Sequence, residues 1–281
     1  EFKLYANIGT PEEADLAVAE GADGIGLFRT EFLYMAQNGT NSTTAARSFS
    51  EDSQFKAYKY VLETMGDKPV TIRTLDAGGD KLINSVDIPI VEESNPLMGL
   101  RAVRLSLEYP NLLKTQLRAL YRASVYGNLR IMLPLITSVD QVTSCIKLVD
   151  EVKKELTFEN IPFNDKVPLG IMVETAAAAI ISDCLAKVSD FFSLGTNDLT
   201  QYTLGIDREN QHVSALYDEF HLGVLRMIQF TITNANEANI PVSVCGEMAG
   251  RQDSIMVLAG MGIRNLSMSP KLISSTKELL S

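Results

Sequence analysis

The stretch 169-LGIMVETAAAAIISDCLAKVSDFFSLGTND-198 holds the unit from which the rest of the chain is read. Leu169–Glu174 is a short apolar run that ends on an acid, and Phe191–Gly195 is a second that leads into Thr196-Asn197-Asp198. A helix-length segment separates them, so the pair reads as strand, crossover helix, parallel strand. The rhythm recurs in both directions. Further strand candidates are Lys3–Ile8, Gly24–Thr30, Val70–Leu75, Arg130–Ile136, Val242–Cys245 and Leu266–Ser269. Helical patterns such as Pro11–Glu20 and Ser138–Leu156 lie between them, the first opening on Thr10-Pro11 as an N-cap followed by proline. Runs such as Ile171-Met172-Val173 and Val242-Ser243-Val244 alternate little, as expected of strands covered on both faces. Eight strands, each followed by a helix, predict an α/β fold, a (β/α)8 TIM barrel spanning residues 1–281 as a single domain. An open doubly wound sheet is the alternative.

Composition narrows the function classes. With 281 residues, 46% apolar and 21% charged, the chain is an ordinary globular one that buries a core without staples. A net charge of −10 leaves no broad basic field for nucleic acid or an anionic membrane. Cys145, Cys184 and Cys245 are odd in number and lack CxxC spacing, which argues against a disulfide framework or zinc site and fits a reducing cytoplasm. No apolar run approaches the roughly 18 residues that span a bilayer. The opening EFKLYANIGT has no signal-peptide pattern and enters a strand at once, which suggests a domain of a longer chain. Two segments break the rhythm: Gln37–Ser53, rich in Ser, Thr and Asn, reads as a long exposed loop, and Asp80–Asn95 as another.

Unusual polar residues collect at the strand ends. The second strand ends Phe28-Arg29-Thr30-Glu31, and the third runs Arg73-Thr74-Leu75-Asp76 into Gly78-Gly79-Asp80-Lys81. The fifth ends at Glu174, the sixth at Asn197-Asp198 with Arg208 further on, and the seventh at Cys245-Gly246-Glu247. Closing the barrel brings these to one mouth, where such folds place their sites. Arginine forks grip phosphate and carboxylate, and carboxylates suit Mg²⁺, so the set points to phosphoryl chemistry. Each has a plainer reading: Arg29 or Arg73 as a salt-bridged rim residue, Glu174 as a capping acid, Asn197-Asp198 as a helix start, Cys245 as a buried thiol. Their joint placement favours a site.

The strings GLFRTEFLYM, TIRTLDAGGDK, NPLMGLRAVR, IMVETAAAA, FFSLGTNDLTQYTLGIDREN and CGEMAG resemble the phosphoenolpyruvate (PEP)-utilising enzymes. They are most similar to the C-terminal PEP-binding domain of enzyme I of the bacterial sugar phosphotransferase system, over about Leu4 to Ser269. The resemblance implies that Arg29, Arg73, Asn197, Asp198 and Arg208 bind PEP, with Lys81 and Arg101 as further members of the anion shell. It implies that Glu174 and Asp198 hold Mg²⁺, and that Cys245 is the acid that protonates the enolate at C3, with Glu247 supporting that end. A thiol serving as an acid must rest protonated, so Cys245 is expected to be neutral in the free protein. The implied reaction passes the phosphoryl group to a histidine on a separate N-terminal domain, absent from this chain, and from it to the carrier protein HPr. Pyruvate is released, and a homodimer is expected, with Leu258–Ile263 or the Asn111–Ala123 helix as candidate faces.

Some features depart from that pattern. Only His212 and His221 are present, neither in an acceptor motif. Ala176 stands where the family has proline, and Phe220-His221-Leu222-Gly223 replaces a segment with Pro and Ser. The sequence also ends soon after the eighth strand. A PEP/pyruvate domain of a pyruvate phosphate dikinase or PEP synthase is the alternative enzyme, and a PEP-sensing or dimerisation module the alternative outside catalysis.

Overall fold

The structure is a computed structural model, and it describes residues 1–35, 50–78 and 93–280. Eight parallel strands close into one barrel in chain order: β1 (Lys3–Ile8), β2 (Ile25–Arg29), β3 (Pro69–Arg73), β4 (Asn128–Leu133), β5 (Leu169–Val173), β6 (Phe192–Leu194), β7 (Val242–Val244) and β8 (Asn265–Met268). The first helices are α1 (Glu13–Ala19), α2 (Glu31–Met35), α3 (Glu51–Met65), α4 (Ala102–Glu108), α5 (Pro110–Ala123) and α6 (Val139–Phe158). After β5 come α7 (Ala176–Ile180), α8 (Ser182–Leu185), α9 (Thr196–Leu204), α10 (Leu222–Glu237), α11 (Gln252–Gly260) and α12 (Ile273–Leu280). The barrel is the expected fold, and the open sheet is excluded by the pairing of β1 with β8.

The strands alternate more than their sequences suggest. Ile72, Ile131, Ile171, Leu194, Val244 and Leu266 belong to the main apolar core with the buried faces of the helices. Leu27, Met132, Met172, Phe191 and Cys245 form a separate buried cluster. Several of these come from strands that are not neighbours in the sheet, so they meet across the barrel axis as a plug. Above and beside it the inner face turns polar. Asn7 Nδ2 donates to the carbonyls of Cys245 (2.9 Å) and Ser267 (3.2 Å), and Ser267 Oγ donates to Asn7 Oδ1 at 2.6 Å. Asn7 thereby ties β1 to β7 and β8 just under the mouth.

Local chemistry explains where several helices start. Ser138 and Gln141 form a reciprocal capping box on α6. Ser50 caps α3 by accepting from Ser53 N, so the polar loop expected over Gln37–Ser53 ends in a helix; residues 36–49 lie outside the described residues. Thr10-Pro11 does not open α1. That helix starts at Glu13, whose carboxylate turns back to accept from Gly9 N at 2.6 Å and Thr10 N at 3.2 Å. Within Leu258–Ile263, one of the stretches expected to take part in self-association, Leu258 and Ile263 are fully buried. On α5, Arg118 and Arg122 pair with Glu51 of α3, and Arg118 with Glu155 of α6. Among the described residues no helix is long and apolar enough to cross a membrane.

Barrel closure depends on close backbone approach at Gly24. A Cβ there would sit 2.4 Å from the Pro69 carbonyl oxygen and 3.0 Å from the Tyr5 ring. Gly24→Ala is expected to cost about 1–3 kcal/mol, read as a lower urea midpoint at constant slope. Gly260→Ala, with nothing within 4 Å of its Cβ, should leave the midpoint unchanged or slightly raised. Equal midpoints for Gly24→Ala and the unaltered chain would contradict the close contact.

Candidate active site

The mouth is built upward from the plug. β3 ends at Arg73, only 7% exposed, and its Nη1 lies 3.6 Å from the Met172 sulfur. A buried guanidinium must be balanced by charge or be strongly destabilising. Two carboxylates balance it: Glu31 Oε1 at 2.5 Å from Nη2, and Asp76 Oδ2 at 2.9 Å from Nη1. Burial works against the Arg73 charge, and Glu31, Asp76 and Glu174 outweigh it, so its pKa rises. Asp76 also accepts from Arg101 Nη2 at 2.8 Å, yoking two arginines through one side chain. Arg101 reaches this place from the residue before α4, where it pairs with Gly78 in an isolated bridge and Ala102 takes a left-handed φ of 52°.

The backbone beneath Arg73 is pinned by a buried polar chain. Thr30 Oγ1 donates to the Arg73 carbonyl (3.0 Å), and Gln116 Nε2 donates to both Thr30 Oγ1 and Tyr58 Oη at 3.1 Å. Gln116 Oε1 accepts from Leu75 N at 2.9 Å. Such a network fixes the exit of β3, and with it the direction of the Arg73 stem.

The opposite wall comes from β5, β6 and β7. Glu174, 2% exposed, accepts from Leu135 N at 2.6 Å. Burial pushes its carboxyl well above the usual carboxylate range; the Asp198 and Asp76 charges add to this, while Arg73 and the Leu135 N–H pull back. Asp198, in the first turn of α9, sits 3.6 Å from Arg208 Nη2. Asn197 and Glu247 bind each other twice, through Nδ2 to Oε1 at 3.1 Å and from Glu247 N to Oδ1 at 2.7 Å. Gly246 makes this junction possible, because a Cβ there would lie 2.0 Å from Thr196 Oγ1. Cys245 is buried on the plug, its Sγ donating to the Leu194 carbonyl at 3.6 Å. Burial pushes the thiol up to about 11, Glu174 adds to the rise, and Arg73 and Arg29 pull the other way.

Arg29, Arg73, Arg101, Glu174, Asn197, Asp198, Arg208 and Cys245 all line one cavity of about 770 Å³, a size suited to a small ligand. Lys81 lies outside the described residues. A second cavity, of about 380 Å³, shares only Phe32 with the first and has no arginine among its described lining residues. Arg29 is exposed, its guanidinium 5.2 Å from the Phe32 ring, and it makes no ion pair among the described residues. Sequence reading passed over Glu31 and Asp76 as partners, although both stand within three residues of a site arginine. It also missed Thr30, Gln116 and Arg251, for which spacing holds no signal.

The charges of the mouth do not favour an anion as strongly as the arginine count implies. Among the described residues, five lining arginines (Arg29, Arg73, Arg101, Arg208, Arg251) face seven carboxylates (Glu13, Glu31, Asp76, Glu174, Asp198, Glu209, Glu247). Arg73 and Arg101 are already neutralised. Among the described residues there is no group of three or more His, Cys, Asp and Glu arranged to hold a metal, and Glu174 and Asp198 repel each other.

Fold and site together define a (β/α)8 barrel with an arginine- and carboxylate-lined ligand cavity at the C-terminal ends of its strands. The chain belongs to the family described as PEP-utilising enzyme, PEP-binding domain, whose model matches residues 1–281. It is 45% identical over 267 residues to the phosphoenolpyruvate-protein phosphotransferase of Priestia megaterium, covering 95% of this chain and 45% of that protein. The protein of the same name from Lactococcus lactis subsp. lactis is 45% identical over 282 residues, covering 99% of this chain and 47% of the relative. The chain thus spans about half the length of the curated relatives it matches. Among solved structures, an HpcH/Hpal aldolase/citrate lyase family protein from Burkholderia cenocepacia superposes with a TM-score of 0.56 at 16% identity, covering 100% of this chain and 93% of that one. The citrate lyase beta subunit from M. tuberculosis gives 0.52 at 16% identity, covering 99% and 96%. At such identities these two share the fold only.

Alkylation tests the state of the buried thiol. At pH 7 iodoacetamide should modify exposed Cys184 first and Cys245 at least about tenfold more slowly, with Cys245 accelerating as pH climbs toward 11. Peptide mass spectrometry reads both rates, and equal rates at pH 7 would contradict a neutral Cys245.

Proposed function

We propose that this domain binds phosphoenolpyruvate with Mg²⁺ and transfers the phosphoryl group to a histidine on a separate N-terminal domain, releasing pyruvate. On this reading it serves the first step of a sugar phosphotransferase system, with HPr as the next acceptor, as a cytoplasmic homodimer. The observation that carries the proposal is the convergence of Arg29, Arg73, Glu174, Asp198, Arg208 and Cys245 on one cavity. The relatives named phosphoenolpyruvate-protein phosphotransferase support the same reaction.

The donor set fits Mg²⁺. Glu174 and Asp198 would hold the ion through hard oxygens, leaving its other positions to water and ligand oxygens, and a cation between them would relieve their mutual repulsion. When bound, it supplies positive charge against the phosphoryl oxygens. Arg73, clamped by Glu31 and Asp76, presents a fixed dipole and charge that need not reorganise during the reaction. Arg29 and Arg208 bring cationic charge that no tight internal pair among the described residues neutralises.

The acceptor nitrogen attacks phosphorus, the bond from phosphorus to the enol oxygen breaks, and its electron pair stays on that oxygen. The enolate then forms the carbonyl of pyruvate as C3 takes the proton from Cys245 Sγ. The thiolate left behind faces Arg73 and Arg29, which stabilise it until it is reprotonated. A thiol held near pKa 11 is fully protonated at neutral pH, the state an acid needs. Neither His212 nor His221 lines the cavity, and His221 instead caps α10 by accepting from Gly223 N at 3.1 Å.

Exchange of solvent deuterium into C3 of pyruvate isolates the proton step. The chain should catalyse it with Mg²⁺, and Cys245→Ala should slow it by about 10²–10⁴-fold while PEP affinity changes by less than about threefold. Unchanged exchange in Cys245→Ala would remove the cysteine from that role. Absence of both exchange and PEP binding in the unaltered chain would overturn the whole reading.

A further inference from the structure

Arg208 reaches the cavity on the segment 205–221, which links α9 to α10 and has one short 3-10 turn at Ser214–Leu216. Most of its hydrogen bonds are local, such as Glu209 N to Asp207 Oδ1 at 2.9 Å and His212 N to Asn210 Oδ1 at 3.0 Å. Besides the Arg208–Asp198 pair, further contacts tie it to the barrel. Arg208 N donates to Gln201 Oε1 (3.1 Å), Tyr217 Oη donates to the Asn197 carbonyl (3.2 Å), and Glu219 Oε2 lies 3.0 Å from Arg251 Nη1.

The third is the unusual one. Between Gly205 and His221 the segment is exposed or half-exposed everywhere except Glu219, which is 4% exposed. Its deepest anchor is therefore a carboxylate, where an apolar side chain would be the ordinary choice. Glu219 Oε1 has no hydrogen-bond partner among the described residues. A buried carboxylate held by one cation is strongly destabilising once that cation is removed. The cation, Arg251, follows the Gly246–Gly250 turn after β7 and lines the same cavity as Arg208. It also stands 5.8 Å from the Phe220 ring and 3.2 Å from Asp253, which orient its guanidinium.

We propose that Arg251 and Glu219 form a latch that clasps the 205–221 segment to the β7 turn, and that both are positioning residues acting through Arg208. The latch joins residues 32 apart in sequence and sets how far Arg208 stands from Asp198. Its ligand readout rests on the PEP reading above; its geometry does not.

Hydrogen exchange on the free chain tests the latch without any ligand. Arg251→Gln should speed exchange at the Arg208 and Tyr217 amides by about tenfold while β7 amides keep their protection. Unchanged exchange would overturn the latch whatever PEP does. Titration with PEP and Mg²⁺ tests its role. Arg251→Gln should weaken PEP binding by about tenfold, Arg251→Lys should restore most of the loss, and Arg251→Gln added to Arg208→Ala should bring no further loss. A full additional loss in the Arg208→Ala background would show that Arg251 does not act through Arg208, and would overturn the positioning role. Faster exchange in Arg251→Gln, together with no PEP binding by the unaltered chain, would support the latch and refute the PEP reading.

Discussion

A guanidinium buried at the end of β3 governs the architecture of the mouth. Arg73 stands on a plug of methionine, phenylalanine and cysteine side chains, and a bare charge there would carry a penalty of several kcal/mol. Glu31 from α2 and Asp76 from the turn after β3 remove the penalty, and Asp76 then recruits Arg101 from in front of α4. Two βα connections, those after β2 and β3, are thus organised around one cation. The Thr30–Gln116–Tyr58 chain anchors the same strand end from below, so the site arginine is held from both sides.

The cost of this solution is that the mouth is acidic. The carboxylates that neutralise Arg73 and Arg101 leave Glu174 and Asp198 with little compensation, and burial of Glu174 makes its ionisation unfavourable. Among the described residues, Arg29 and Arg208 are the arginines left without a close carboxylate partner to face a ligand that would bring both a phosphate and a carboxylate. Physical chemistry then asks for one more positive charge between the acids, and on the proposed reading a divalent cation meets that need. The same burial keeps the Cys245 thiol neutral, so one desolvated floor explains both the reluctant carboxylate and the protonated acid.

Much of this was legible in the sequence, because the barrel writes itself as short apolar runs separated by helix-length segments. The strand ends also announced themselves: Arg29, Arg73, Glu174, Asn197-Asp198 and Cys245 interrupt apolar runs at equivalent places. What stayed hidden were relations that depend on rotamers and on which faces meet. The clamp of Arg73 by Glu31 spans two strands, and periodicity cannot show it. The Leu258–Ile263 run looked like a surface patch because its apolar face was visible but its partner was not; in the fold Leu258 and Ile263 are core. Thr10-Pro11 looked like a helix start because Glu13 had not been weighed as a carboxylate that caps the preceding turn. Strands β6 and β7, three residues each, are shorter than their apolar runs because Gly195 and Cys245-Gly246 already turn into the mouth.

On the proposed reading the mouth takes a small phosphorylated acid only with a divalent cation to balance its carboxylates. Calorimetric titration of PEP into this chain, with Mg²⁺ and with chelator, measures that directly. Binding is expected with Mg²⁺ and a loss of at least about a hundredfold without it, and Asp198→Asn should shrink that difference. Equal PEP affinity in the presence and absence of the metal would contradict it.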